Sequence, residues 1–295
     1  MVPSDSTPIS SRSIERILPE PVLNYLGDSP ELLIETDEIA VWAGQGYQAH
    51  IGPPEVVARE RAILLRELQA EIPLSLPHVV DWDITWTVLE DLRPTDSWTD
   101  EQIFAAIAEL SAMHERLESS PDLENPVFRR PFGNDCTEIL APARKSGWEL
   151  PEPLSELLWD PSPLLKALRS LPPTLLHGDP WPANVALRGD ERIWLNWWQA
   201  SIGPGVSDFA CWIDQTPFQV GRTVDRLTQI EAYLGARTQP VDRRLFSKAL
   251  DAARLFWFLA SDVPHLPELA EDDPGLVEIM HREALRALEA FSRPQ

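Results

Sequence analysis

A chain of 295 residues, 43% of them hydrophobic, can bury a substantial core in one large or two modest domains. Its 47 Asp and Glu outnumber 25 Lys and Arg, and the net charge of -22 argues against nucleic acid as a partner, since a polyanion would be repelled where phosphates must be neutralised. Two cysteines, Cys136 and Cys211, are too few for a disulfide framework. With no basic-then-apolar leader at Met1-Val-Pro-Ser-Asp-Ser and no long apolar run, a cytoplasmic protein without a membrane partner is expected.

Residues 1 to about 12 are polar and Ser-rich and read as frayed, and Ile14 to Leu26 reads as a short mixed segment. Leu32 to Thr36 and Ile39 to Ala43 read as strands, and Ala43-Gly-Gln-Gly46 as a hairpin turn into a third strand, Tyr47 to Ile51. Pro53-Pro54, an acid at Glu55, and Val56, Glu60, Leu64 and Leu68 on one face predict a helix over 54–68. An acid on that apolar stripe demands a partner. Either His50 supplies it as imidazolium, or Glu60 sits at the stripe's edge beside Arg59 and Arg61.

Val79-Val80 and Trp86 to Glu90 complete an antiparallel sheet, which the chain leaves through Asp91-Leu-Arg-Pro94. A helix is predicted over Asp100 to Leu117, with Ile103, Ile107, Leu110, Met113 and Leu117 towards the core and His114 as a structural histidine. Residues 119–150 read as irregular, part of a lid over an acceptor site, before short helices at Leu154 to Trp159 and Pro163 to Leu171. After Asp208, helices are predicted over Val220 to Leu234, Arg243 to Leu259 and Leu276 to Phe291. Ser261 to Pro274 reads as a proline-broken, acidic, solvated loop.

Between these blocks lies Leu175-Leu-His177-Gly178-Asp179-Pro-Trp-Pro-Ala-Asn184-Val-Ala-Leu187, then a turn and Ile193-Trp-Leu-Asn196-Trp197. The pattern predicts a loop feeding a hairpin. Asp-x4-Asn is the spacing of a kinase catalytic loop, in which the Asp accepts the proton of the attacking hydroxyl and the Asn holds magnesium. A carboxylate must touch the nucleophile, and a hard oxygen ligand must lie a few ångströms away beside the phosphates. Gly-x-Ser-x-Gly is absent, and the histidines lack ligand spacing, so neither a serine hydrolase nor a histidine metal site is supported.

With Trp197 and the tail Ser201-Ile-Gly-Pro-Gly-Val-Ser-Asp208-Phe-Ala, this stretch resembles the aminoglycoside phosphotransferase and choline kinase-like family over about residues 30–215. The resemblance implies an α+β, protein-kinase-like two-lobe fold. Residues 1–90 would form a small antiparallel-sheet lobe over the nucleotide, and 91–295 a larger, mainly helical lobe with the catalytic loop and acceptor region. It implies ATP and magnesium as cofactors if the chain is active, Asp179 as the catalytic carboxylate, and Asn184 and Asn196 at the two metal positions. His50 falls at the basic position of the third strand, with Glu60 as its helix acid. Glu90 and Leu92 bracket the adenine hinge, and His177 and Asp208 fix the loop.

Three positions depart from the family pattern. Its second hairpin strand reads Ile-Asp-Trp, where this chain has Leu195-Asn196-Trp197; His50 replaces a longer base; and Thr36-Asp37-Glu38, over the phosphates, has no glycine. Phosphoryl transfer rests on positioning and electrostatics, and a loss of about 4 kcal/mol is roughly a thousandfold in rate. The expectation is therefore a degenerate kinase, either a pseudokinase or a small-molecule-binding protein, with weak or absent magnesium-ATP use. The alternative is an active ATP-dependent phosphotransferase acting on a hydroxyl of a small molecule. Trp181, Trp194, Trp197, Trp198 and Trp212 with an acidic rim would suit a cationic ligand, core packing being the competing reading. Either way, Asp179, Asn184 and Asn196 are expected to converge between the lobes.

Overall fold

Short runs of β-branched and aromatic residues punctuated by tight turns build the first part of the chain. The computed structural model describes residues 18–36, 38–95, 97–133 and 135–293; the readings of residues 1–12 and of Ile14, and the middle of the Thr36–Glu38 loop, lie outside them. β1 (Glu31–Glu35), β2 (Ala40–Gly44), β3 (Tyr47–Ile51), β4 (Val79–Trp82) and β5 (Trp86–Glu90) form one antiparallel sheet in the order β1-β2-β3-β5-β4. Gln45 and Gly46, at φ 50° and 82°, turn β2 into β3 with the left-handed pair that matches strand twist.

Register then divides the sheet into two faces. Val41 pairs with His50 and His50 with Thr87, while Trp42 pairs with Ala49 and Ala49 with Val88. The second set is covered by α1 (Glu20–Leu26), whose Val22 and Leu26 pack on Ala49, Trp86 and Val88. The first set faces α2 (Pro54–Leu64). This helix stops at Leu64, four residues short of the predicted end. Arg66 turns left-handed at φ 53°, and the N–H groups of Gln69 and Ala70 leave to donate to the Asp122 carboxylate, each at 2.9 Å.

The remainder is mostly helical. α3 (Asp100–Leu117) starts from a reciprocal cap in which Thr99 Oγ1 accepts from Gln102 N at 3.2 Å and Gln102 Oε1 accepts from Thr99 N at 2.9 Å. The stretch predicted to be irregular contains α4 (Cys136–Ile139) and α5 (Ala141–Ser146), followed by α6 (Glu152–Trp159) and α7 (Ser162–Leu168). β6 (Pro173–Leu176) pairs with β9 (Ser201–Pro204), and between them β7 (Val185–Arg188) and β8 (Glu191–Trp194) form the expected hairpin. β8 ends at Trp194 rather than Trp197 because Asn196 is left-handed at φ 62° and a 3₁₀ turn follows.

Two further boundaries differ from the sequence reading. α8 (Val206–Val220) occupies the stretch ahead of the helix predicted to begin at Val220, and Gly221 ends it at φ 67°. Its buried Val206, Phe209, Ala210 and Ile213 carry a helical period that Gly203-Pro-Gly205 and Pro217 obscure. α9 (Arg226–Gly235) and α10 (Arg243–Trp257) follow. The predicted acidic loop is instead a π-turn (Phe258–Asp262), a 3₁₀ turn, α11 (Leu266–Asp272) and the start of α12 (Pro274–Ser292). Val263 and Leu266 are fully buried there, with Glu268, Glu271, Asp272 and Asp273 exposed.

One apolar core runs from Leu89 and Ile63 beneath the sheet through α3, β6 and α8 to α10 and α12. Trp194, Trp197 and Trp212 lie inside it, fully buried, with the Trp194–Trp212 and Trp98–Trp212 centroids each 5.9 Å apart, so core packing accounts for these rings. No described helix is long and apolar enough to cross a membrane. Burial of Leu266 distinguishes the observed α11 from a solvated loop. Leu266→Ala should cost about 2–5 kcal/mol in urea unfolding, whereas a solvated loop would give a change near zero.

Candidate functional site

β6 delivers the chain into the loop that carries His177, Asp179 and Asn184, and one carboxylate from the first turn of α8 fixes that loop. Asp208 Oδ2 accepts from His177 N at 2.7 Å and from His114 Nε2 at 3.1 Å, and Oδ1 accepts from Gly178 N at 3.1 Å. His114 Nδ1 pairs with the Tyr233 hydroxyl at 2.8 Å, so this histidine is a buried strut between α3, α8 and α9. His177 Nε2–H donates to Leu195 O at 2.7 Å and Nδ1 accepts from Asp179 N at 3.3 Å. Burial pushes its pKa down and keeps the ring neutral. Gly178 sits at φ 91°, and a Cβ there would lie 2.1 Å from Gln199 O, so no other residue fits.

The three polar residues expected to converge do so. Asn184 Nδ2 donates to Asp179 O at 2.7 Å and to Asp179 Oδ2 at 2.8 Å, while Asn196 Nδ2 donates to Asn184 Oδ1 at 2.6 Å. The Trp181 side chain also donates to Asp179, and Cys211 Sγ stands 3.9 Å from its Oδ1. Burial is the largest influence on the Asp179 carboxyl and raises its pKa despite these donors.

On the sheet side, the buried Glu60 carboxylate accepts from His50 Nδ1 at 2.8 and 2.9 Å, which settles the open partner of Glu60. Trp198 stands edge-on to the His50 ring, centroids 5.3 Å apart, and packs on Ile39, Val41 and Val56. Arg59 Nε donates to Trp198 O at 3.0 Å and clamps the turn against α2. At the expected hinge, Gln48 Nε2 donates to Leu92 O at 3.3 Å and to Asp91 Oδ1 at 2.7 Å. Glu90 Oε1 accepts from His78 N at 2.8 Å and from Arg188 at 2.7 Å. In the β1–β2 connection, Thr36 Oγ1 accepts from Glu38 N and Ile39 N, and the Glu38 carboxylate pairs with Arg129.

Residues 47–245 match the model of a phosphotransferase enzyme family, a match that spans more than half of the chain. The chain belongs to the phosphotransferase enzyme family. Among solved structures it is similar to a choline/ethanolamine kinase family protein from Mesorhizobium loti, at 16% identity over 93% of this chain and 92% of that one, TM-score 0.60. It is also similar to an amicoumacin kinase in complex with AMP-PNP, Ca2+ and Ami, at 13% identity over 86% and 87%, TM-score 0.62. A streptomycin–ATP ternary complex of an aminoglycoside phosphotransferase aligns at 13% identity over 81% and 87%, TM-score 0.56. At these identities the likeness is one of fold. A search of curated proteins returned no match.

In this family member, Asp179 also borders a cavity of about 560 Å³ on the helical side. Its walls come from α8, α10, the π-turn, α11 and α12, and they include Asp214, Arg254, Asp262 and Glu283 beside Trp257, Phe258, Ile279 and Met280. Sequence reasoning assigned none of these to a site, because five separate elements bring the cavity's walls together. Asp214 is held by Arg254 Nε at 2.9 Å from each oxygen. Burial, with Asp214 nearby, pushes the Asp262 carboxyl up to about 7, and burial pushes the Cys211 thiol well up.

Two outcomes follow. Asp208→Ala leaves three buried donors without their acceptor and should cost about 3 kcal/mol or more in urea unfolding. Asp262 holds in the folded state a proton that the unfolded chain releases near 3.8, so its contribution is fully present below that pH and is lost as pH rises through about 7. Asp262→Asn should therefore unfold without the wild-type decline between pH 4 and 7, and should exceed wild type at pH 8 by up to about 4 kcal/mol.

Proposed function

We propose that this phosphotransferase-family protein binds a small cationic molecule in the cavity beside Asp179 and makes weak or no use of magnesium-ATP. The observation that carries this reading is Trp198. It packs on the face of the sheet from which a basic residue of β3 would reach nucleotide phosphates, and its edge stands against His50. At the hinge, Gln48 donates to the Leu92 carbonyl, and the His50–Glu60 pair keeps the family's arrangement with a short imidazole in place of the longer base.

The residues present do not fit the magnesium that the family implies. Asn184 Oδ1 already accepts from Asn196 Nδ2 at 2.6 Å, and Asp179 is the lone carboxylate of that trio. Among the described residues no group of three or more His, Cys, Asp or Glu could hold a metal ion. Support for a cationic ligand comes from the acids around the cavity, Asp179, Asp214, Asp262 and Glu283, against one Arg254 in its lining.

A specific feature favours the second reading, a phosphotransferase acting on a hydroxyl. Asp179 is held by Asn184 and Trp181 yet borders the cavity, where it can accept a hydrogen bond from a ligand hydroxyl. Calorimetric titration separates the two. Wild type should bind magnesium-ATP no more tightly than about 1 mM. Asn196→Asp with His50→Lys should recover binding only when Trp198→Gly is added, since the indole packs against the ring at position 50 and would confine a lysine there. Micromolar binding by wild type, or ATP consumption abolished by Asp179→Ala, would establish the second reading instead.

A further inference from the structure

The cavity beside Asp179 is not uniformly polar. Near the catalytic loop it is lined by Asp214, Gln215, Arg254 and Asp262, whereas α11 and α12 give it a hydrocarbon wall of Leu269, Leu276, Ile279, Met280, Ala284 and Ala287. A ligand bearing hydroxyl groups on every side would leave several of them facing that wall without partners, which costs free energy for each one. A ligand with one charged end and an apolar body meets no such penalty.

The acids of the cavity are also not equivalent. Asp179 accepts from Asn184 and Trp181, Asp214 is held by Arg254, and Glu283 accepts from Arg286 Nη1 at 2.5 Å. Asp262 alone among these four makes no side-chain hydrogen bond or ion pair with any described residue. It is the last residue of the π-turn Phe258–Asp262, where α10 widens beyond Trp257. Widened turns of this kind are frequent at functional sites, where they re-aim side chains that a regular helix would place elsewhere.

We propose that Asp262 anchors the ammonium group of an amphipathic monoamine, whose hydrocarbon part lies along the apolar face of α12. This inference rests on the reading of the cavity as a cation site and narrows it to one class of molecule. The ammonium end sits at the π-turn and the aliphatic portion against Ile279 and Met280. A hydroxyl close to the ammonium end of the same molecule can then face Asp179. Ionised Asp262 is the form that pairs with the amine, so uptake releases the proton that burial holds on it at neutral pH. The charged groups facing it are Asp214 with Arg254 from α8 and α10, Glu283 with Arg286 from α12, and Asp179 from the loop. All of these already have partners.

Calorimetry on the full chain with n-hexylamine, n-octylamine, n-octanol and glucosamine tests this. Each methylene added within the cavity should tighten amine binding about fourfold. Octylamine should therefore exceed hexylamine by about fifteenfold and octanol by about tenfold or more, since about one charge-assisted hydrogen bond separates the last two. Asp262→Asn should lower octylamine affinity at least tenfold, leave octanol unchanged, and remove the rise in affinity between pH 6 and 8. Its unfolding midpoint, measured on the same sample, shows that it is folded. Ile279→Ser provides a second test at a position already 44% exposed, and should shrink the octylamine-to-hexylamine ratio.

Unaltered octylamine binding by Asp262→Asn, or no dependence on chain length, overturns the inference. Binding of glucosamine without octylamine overturns it while leaving the cation cavity standing. Failure of every amine to bind overturns both.

Discussion

The Asp208 carboxylate is the interaction on which the site depends. Its two oxygens receive the two consecutive backbone amides of His177 and Gly178 and the ring of a histidine from α3, so one side chain ties β6, α3 and α8 to a single point. Only because that point is fixed can Gly178 be left-handed against Gln199, and only then do Asp179, Asn184 and Asn196 fall into one hydrogen-bonded row. A charged acceptor with several buried donors is among the stronger fixtures a fold can contain.

The two sides of that row have opposite character. Towards the sheet, an amide donates to a hinge carbonyl and an indole packs on the strand face beside the His50–Glu60 pair. A ligand arriving there must exchange bonds rather than add them, and exchange gives little net free energy. Towards the helices, the same loop opens on a cavity in which the Asp262 carboxylate has no side-chain partner among the described residues. Low dielectric makes such a group costly to keep, as buried acids at binding sites commonly are.

What the sequence revealed and what it concealed follow from range. The strands, their turns and the Asp179–Asn184 spacing were legible because period-two alternation, a glycine-bracketed Gln45 turn and an Asp-x4-Asn spacing are local. Glu60 was legible as an acid needing a partner, since its neighbours on the helix stripe are apolar. Asp262 and Val263 were misread, because proline and acidic composition say loop, whereas burial of Val263 and Leu266 against distant helices decides otherwise. Trp198 was grouped with Trp194 and Trp212, yet it packs on the opposite side of the loop; three consecutive residues and one left-handed backbone angle separate those fates. Arg129 on Glu38 and Arg254 on Asp214 join residues too far apart in the chain for any window of sequence to reveal.

Asn196 carries one more implication. Its backbone sits at φ 62°, ψ 57°, a conformation that asparagine and aspartate tolerate better than most residues. Exchange between those two at this position changes a charge while leaving the path of the chain alone. Shape and chemistry are thereby decoupled at the point where they matter most to a phosphotransferase. Members of such a lineage can pass between charged and neutral forms by a change that superposition of backbones does not register, and their kinship in fold outlasts any difference in what they do.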